Sequence, residues 1–307
     1  MNKFDYSLAC EGKVVSTNVS KNRCASKIPV GEIVITEKGV ENDISPCIGD
    51  VQVSMLKKED LISSSSNMDF NQGFFTENLT VEGFGNTCIN LLDRFYCGEV
   101  EVDVARLGLK CSKNNDCIGT TDGIFLRVIN GGAIKAGSPI THVPRCFNFK
   151  VISVCNKAYN GEYIDVSGLE LKRILKERFQ KTNRPTAIDY SLLPPCPQKL
   201  EEEINKAVIY GCDVIFTVGG TGIGPGDITV DIASGLCDKF IPGIMDHIRI
   251  KYGQANPHAL LSRSIAGVVK NSLIYTLPGS RKAVGEYMNE IFATMEHLVY
   301  VINGLSH

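Results

Sequence analysis

The stretch Asp213-Val-Ile-Phe-Thr-Val-Gly-Gly-Thr-Gly-Ile-Gly-Pro-Gly-Asp227 decides how this chain is read. The apolar run Val214–Val218 predicts a buried strand that stops at a glycine-rich loop. Without Cβ atoms in the way, the N–H groups of such a loop can approach an anion closely. From about Thr229 the sequence reads as a helix, whose N-terminus points its positive end at the same place. Asp227 adds a carboxylate where the loop ends. Aspartate is common at helix starts, and that role is compatible with holding a divalent cation. Phosphoryl-handling sites bind Mg²⁺ through one or two carboxylates plus the substrate's own phosphates. The pattern points to a phosphorylated small molecule, with a metal ion between it and Asp227.

A second turn supports this. The strand Ser272-Leu-Ile-Tyr-Thr-Leu runs into Pro278-Gly-Ser280 and then a helix. In open α/β sheets ligands collect at the carboxyl ends of strands, so two glycine turns that each precede a helix open on one crevice. No Gly-Lys-Ser/Thr ends the first loop, which excludes a Walker A site, and its Gly222-x-Gly224-x-Gly226 spacing is not a dinucleotide fingerprint. Upstream of the last strand, Ser262 and Arg263 are candidates for holding a phosphate or carboxylate. His258 has no partner at metal-ligand spacing.

Alternating strands and helices surround these turns. Phe149–Cys155 reads as a strand, Gly168–Phe179 and Lys199–Tyr210 as amphipathic helices, and Arg281–Ile302 as one long helix with Val284, Met288, Ile291, Met295 and Leu298 apolar. This order predicts a mostly parallel sheet covered on both faces. The first half is strand-like: Gly12–Asn18, Glu32–Thr36, Glu99–Leu107 with unbroken alternation, and Gly123–Gly131. The serine run Ser63–Ser66 reads as a surface loop. The boundary is expected near Val143–Asn148.

Composition narrows the class. The 307 residues are 43% hydrophobic and 21% charged with net charge −2, enough for two packed domains and without the basic excess of a nucleic-acid binder. No polybasic run or membrane-length apolar run occurs, and the N-terminus lacks an apolar signal core, so a cytoplasmic protein without membrane contact is expected. The twelve cysteines are scattered, with no Cys-x-x-Cys pair, and are read as reduced thiols.

Taken together, Asp213–Asp231, Ile241-Pro-Gly-Ile-Met-Asp-His-Ile-Arg249, Ala259-Leu-Leu-Ser-Arg-Ser-Ile-Ala-Gly267 and Leu277-Pro-Gly-Ser280 resemble the MoaB/Mog family of molybdenum cofactor biosynthesis proteins, in order and spacing, over residues 149–307. The resemblance implies a three-layer α/β/α domain that binds molybdopterin, as a trimer or larger homo-oligomer, among other proteins of the cofactor pathway. Active members transfer AMP from Mg·ATP to the terminal phosphate of molybdopterin. By position, Gly219, Gly220, Thr221, Gly222 and Ser262 would line the pterin phosphate site, with Arg263, Pro278, Gly279 and Ser280 beside them. Asp227 would match the catalytic, Mg²⁺-holding carboxylate, and Asp165, Ser167 and Gly168 the nucleotide turn. The chain departs from the family at Cys155-Asn-Lys157, where Ser-Asp-Arg is usual, and at Pro195, where a carboxylate is usual. Two readings therefore stand: a molybdopterin adenylyltransferase, or a non-catalytic carrier or chaperone for the cofactor.

The first half is similar to a MOSC domain, a β-barrel-like module tied to cofactor sulfuration and transfer. The likeness rests on Gln52-Val-Ser54, Phe75-Thr-Glu-Asn-Leu-Thr80, Gly108-Leu-Lys-Cys111, Gly123-Ile-Phe125 and Gly131-Gly-Ala-Ile-Lys-Ala-Gly137. It implies a MOSC domain over 1–148, with the Cys111 thiolate as its sulfur-handling group and Cys117 as a resolving partner. Val51 and Ser112 depart from the usual basic residue and His.

Overall fold

The computed structural model describes residues 3–22, 26–44, 49, 51–63, 73, 75–108 and 123–305, without the side chains of 61–63. The chain divides into two compact units, Phe4–Arg145 and Cys146–Leu305, Lys3 grouping with the second. Cys111, Cys117 and Ser64–Ser66 lie outside the described residues.

The first unit is built from β1 (Cys10–Val19), β2 (Ile28–Val30), β3 (Glu32–Thr36), β4 (Gly39–Val40), β5 (Val53–Lys57), α1 (Lys58–Ser63), β6 (Leu79–Glu82), β7 (Arg94–Cys97), β8 (Val100–Leu107), β9 (Ile124–Asn130), β10 (Gly132–Lys135) and β11 (Pro139–Val143). The order β11-β7-β8-β9-β5-β6-β1 closes on itself because β11 also pairs with β1. Closure leaves no open edge among these strands. β2 attaches outside β1, and β10, β3 and β4 form a small separate sheet. Val14, Leu79, Val81, Phe95, Val104 and Leu126 fill the interior. The unbroken alternation predicted for β8 is interrupted: its register shifts between Val104 and Arg106. Asp103 is buried, gripped by Arg94 at 2.6 and 3.2 Å, with Arg127 at 3.4 Å.

Near one end of β1, the Lys27 ammonium and the Asp43 carboxylate are 2.7 Å apart with side chains 2% and 6% exposed. Asp43 also accepts from Asn78 Nδ2 at 2.7 Å and from the Ser20 N–H at 2.9 Å. Burial pushes the Asp43 carboxyl up, but Lys27, Asn78 and Ser20 together outweigh it and hold it below its ordinary value.

The second unit runs β12 (Phe147–Val154), α2 (Asn156–Tyr159), α3 (Val166–Lys181), β13 (Thr186–Leu193), α4 (Pro197–Ile209), β14 (Val214–Val218), α5 (Thr229–Leu236), β15 (Lys239–Phe240), α6 (Pro242–Gly253), β16 (Ala266–Val269), β17 (Ser272–Leu277), α7 (Arg281–Ile291) and α8 (Met295–Ile302). Its sheet has the order β13-β12-β14-β17-β16-β15; the first four strands are parallel and the last two pairings antiparallel. The two-residue period of the strands sorts the core. Phe149, Val151, Val214 and Phe216 face α3 and α6–α8, whereas Ile152, Val154 and Ile215 face α4 and α5. The result is three layers, α/β/α. From β12 the chain goes to β13 on one side, then to β14 on the other. The carboxyl ends of β12 and β14 therefore flank a topological switch point, where open α/β sheets hold ligands.

The long helix predicted over Arg281–Ile302 is in fact two. Ala293 and Thr294 donate to carbonyls three residues back, on Glu290 and Ile291, and Thr294 leaves the helical region at φ −128°. The tightened turn lets Met295 and Val299 re-enter the core.

Two outcomes follow. At pH 7, Asp43→Asn should cost on the order of 3 kcal/mol in urea unfolding, because it breaks the buried Lys27–Asp43 ion pair. Asp43 is held below its unfolded value of about 3.9, so this stabilisation is present above that pH and lost as pH falls through the lower folded value. The gap between variant and parent should close in that acid window. Tyr275 is fully buried and stacked on Phe216 at 5.5 Å, and its hydroxyl has no hydrogen-bond partner among the described residues. Tyr275→Phe should therefore leave stability unchanged or raise it by about 1 kcal/mol, read from the same urea midpoints.

Candidate functional site

Three turns converge at the carboxyl ends of the parallel strands. The first leaves β14. Gly219 (φ 98°) and Gly220 (φ 68°) both adopt left-handed backbone that side chains resist. A Cβ on Gly219 would lie 2.5 Å from the Val154 carbonyl, and one on Gly220 would collide with Thr229 Oγ1. The Gly219 N–H donates to the Leu277 carbonyl at 2.9 Å, which ties the end of β14 to the end of β17. The Gly220 carbonyl accepts from the Thr229 N–H at 3.1 Å, which sets the start of α5. Among the described residues, the N–H groups of Gly220, Thr221 and Gly222 meet no protein acceptor.

The second turn, Pro278–Ser280, leaves β17. A Cβ on Gly279 would sit 3.4 Å from the Gly219 Cα, an ordinary contact, so the two glycine turns are neighbours. Ser280 caps α7, its Oγ accepting from the Ala283 N–H at 3.1 Å. The third turn opens α3. Asp165 Oδ1 accepts from the N–H groups of Ser167 and Gly168 at 3.2 and 3.1 Å, and Oδ2 accepts from the Tyr190 hydroxyl at 2.7 Å. Burial and the Asp165 charge push the Tyr190 hydroxyl well above its ordinary value. Ser167 Oγ donates to the Gly279 carbonyl at 2.8 Å and so locks the third turn to the second. A Cβ on Gly168 would meet Ser153 Oγ.

Asp227 does not cap α5; Ile228 occupies that position with no side-chain bond. Instead Asp227 folds back over its own loop. Its Oδ2 accepts from the Gly224 N–H at 2.8 Å, and its N–H donates to the Gly224 carbonyl at 3.0 Å. A Cβ on Gly222 would come within 2.6 Å of that carboxylate, so a side chain there would displace Asp227 from its place over the loop. Among the described residues no three His, Cys, Asp or Glu side chains form a metal cage. One half-exposed carboxylate on the loop suits a cation held mainly by substrate phosphates.

Ser262 Oγ lies 2.8 Å from Ser264 Oγ and donates to Thr221 Oγ1 at 3.4 Å, which places it against the first turn. Arg263, a candidate for holding a phosphate or carboxylate, has its guanidinium engaged by the protein: the Asp231 carboxylate and the carbonyls of Gly222 and Asp227. Asp231 is held below its ordinary value chiefly by the Arg263 hydrogen bond.

Tertiary packing adds further residues to the crevice. Tyr190 is on β13, where only tertiary packing brings it to Asp165. Cys155 directly follows β12, its sulfur 2.8 Å from the Tyr163 hydroxyl and its N–H on the Leu193 carbonyl at 3.0 Å. That bond sets the Pro194-Pro195-Cys196 segment beside the end of β12.

Residues 150–297 match the family model described as "probable molybdopterin binding domain". The chain is 32% identical over 155 residues to a molybdopterin adenylyltransferase of Helicobacter pylori, covering 50% of this chain and 86% of that protein.

The chain belongs to this family.

It is also 34% identical over 114 residues to molybdenum cofactor biosynthesis protein B of Staphylococcus carnosus, covering 36% of this chain and 67% of the relative. The molybdopterin biosynthesis enzyme MoaB of Thermus thermophilus is 30% identical, with 52% of this chain and 97% of that one covered and a TM-score of 0.47. Among the described residues no helix is long and apolar enough to cross a membrane.

The molybdopterin-binding family domain here depends on glycines whose roles differ, and substitution separates them. Gly219→Ala should lower stability by about 1–2 kcal/mol through left-handed strain and the Val154 contact. Gly226 has open space around it, so Gly226→Ala should leave the thermal midpoint within experimental scatter. Paired thermal unfolding of the two variants checks this.

Proposed function

We propose that the C-terminal unit binds molybdopterin and transfers AMP to it from Mg·ATP, as a step of molybdenum cofactor biosynthesis. The observation that carries this reading is the set of N–H groups at Gly220, Thr221 and Gly222, which meet no protein acceptor among the described residues and lie beside the Pro278–Ser280 turn. Such a cradle suits the terminal phosphate of the pterin, and the relatives named molybdopterin adenylyltransferase support the substrate. Ser262 adds a hydroxyl, and Pro278–Ser280 forms the neighbouring wall. Asp165, Ser167 and Gly168 form the nucleotide side of the crevice, and Asp227 is the catalytic carboxylate.

In this mechanism the pterin phosphate oxygen attacks the α-phosphorus of ATP; the new P–O bond forms as the bond to pyrophosphate breaks. The protein's contribution is alignment and charge neutralisation. The main-chain N–H groups hold the attacking phosphate without reorganising. Asp227, braced by the Gly224 N–H, would hold Mg²⁺, which neutralises phosphate charge when bound.

A second reading rests on Pro195. It stands where the family usually has a carboxylate, in the segment beside the end of β12. A proline holds no metal, so this reading keeps the phosphate cradle and drops the transfer: a carrier or chaperone for molybdopterin. The N-terminal barrel is proposed as a MOSC domain that binds or transfers cofactor or sulfur, with Cys111 as its thiol. Domain limits of 1–148 and 149–307, a homotrimer or larger homo-oligomer, and a cytoplasmic location complete the proposal.

With molybdopterin and Mg·ATP the full-length protein should form adenylylated molybdopterin and release pyrophosphate. Asp227→Ala should cut that rate by about 100-fold or more while molybdopterin still binds. Binding with no adenylylated product would establish the carrier reading, and an Asp227→Ala variant of undiminished turnover would remove that residue from the chemistry.

A further inference from the structure

Arg263 sits at the centre of the hydrogen bonds that shape the glycine loop. Its Nε donates to the Gly222 carbonyl at 2.8 Å and its Nη2 to the Asp227 carbonyl at 2.9 Å, so one planar group staples both ends of the loop. Nη1 and Nη2 also reach the two oxygens of Asp231, in the first turn of α5, at 2.8 and 3.0 Å. The Arg263 N–H donates to the Thr221 carbonyl at 2.9 Å. Four of the five guanidinium N–H bonds are thus engaged by the protein, which leaves no fork for an anion.

These bonds have a geometric effect. A trans peptide is planar, with its C=O and the following N–H pointing in opposite directions. Tying the carbonyls of Thr221 and Gly222 to Arg263 turns the N–H groups of Gly222 and Ile223 away from it. Glycines at 222, 224 and 226 would let this segment sample many conformations. A rigid fork spanning Gly222, Asp227 and Asp231 selects one of them, which a lysine, a point charge on a flexible stem, does not.

We propose that Arg263 is a positioning residue, latched by Asp231, that aims the loop N–H groups at a bound phosphate and does not itself touch that phosphate. The inference rests on the phosphate-cradle reading given above. Asp231 makes it testable, because the two possible roles of Arg263 predict opposite signs. If Arg263 is a latch, loss of the Asp231 carboxylate loosens the loop and weakens phosphate binding. If Arg263 is an anion ligand restrained by Asp231, the same loss frees the guanidinium and tightens binding.

The experiment compares Asp231→Asn, Arg263→Lys and the double variant in the full chain. The readouts are amide hydrogen exchange at Gly224 and Arg263, titration with molybdopterin, and steady-state kinetics. The latch predicts exchange faster by about tenfold in each single variant and molybdopterin binding weaker by about tenfold, the effect of losing one charge-assisted hydrogen bond. The double variant should be no worse than Arg263→Lys, and KM for ATP should be unmoved, which a general loss of folding would not leave intact. Unchanged loop exchange in Asp231→Asn, or tighter molybdopterin binding, overturns the latch. If the parent protein fails to bind molybdopterin, the cradle reading falls, while the exchange measurement still decides whether Arg263 holds the loop.

Discussion

A main-chain approach that leaves no room for a side chain is the constraint on which the C-terminal site depends. Gly219 leaves β14 against the Val154 carbonyl, where a Cβ would lie 2.5 Å away. In that position its N–H reaches the Leu277 carbonyl, and the Ser167 hydroxyl ties the neighbouring Pro278–Ser280 turn to the start of α3. A Cβ at Gly219 would push the end of β14 away from β12, whereas one at Gly279 would make only ordinary contact. The parallel sheet beneath makes the Gly219–Leu277 bond possible: Val218 is in register with Leu277, so both strands end at the same level.

The sequence made this part of the molecule legible because its signals are local. A buried apolar run, glycines and a carboxylate lie within Asp213–Asp227, and the strand, the turn and the helix start at Thr229 all follow from that order. Strand β13 was not legible. As an edge strand it leaves nearly every residue half-buried, so it shows no two-residue period. The break between α7 and α8 was hidden for the opposite reason: the apolar spacing continues across Phe292–Thr294, while the backbone tightens to bond three residues back.

Arg263 shows a different limit. An arginine after a serine, near a glycine loop, has the chemistry of an anion ligand, and sequence carries no record of whether its guanidinium is already engaged. Asp231 lies 32 residues away, and nothing in its local context marks it as the partner. In the barrel, Asp93 and His142 are both fully buried and 3.0 Å apart. Forty-nine residues separate them in the chain, and only closure of β11 onto β7 brings them together. Buried polar pairs of this kind belong to topology, whereas turn chemistry belongs to the chain itself.

A binding surface made of main chain has a particular cost in information. Every residue offers the same N–H group, so on the proposed reading the Gly220–Gly222 loop registers the charge and size of an oxyanion but not the molecule that bears it. Whatever distinguishes one phosphate ester from another must be written in side chains farther along the crevice, at the ends of β12 and β13. Those are the positions at which this chain carries Cys155 and Pro195 instead of the family's usual residues. Evolution of ligand choice in this protein would thus proceed at the rim of the crevice, while the loop beneath stays silent on identity.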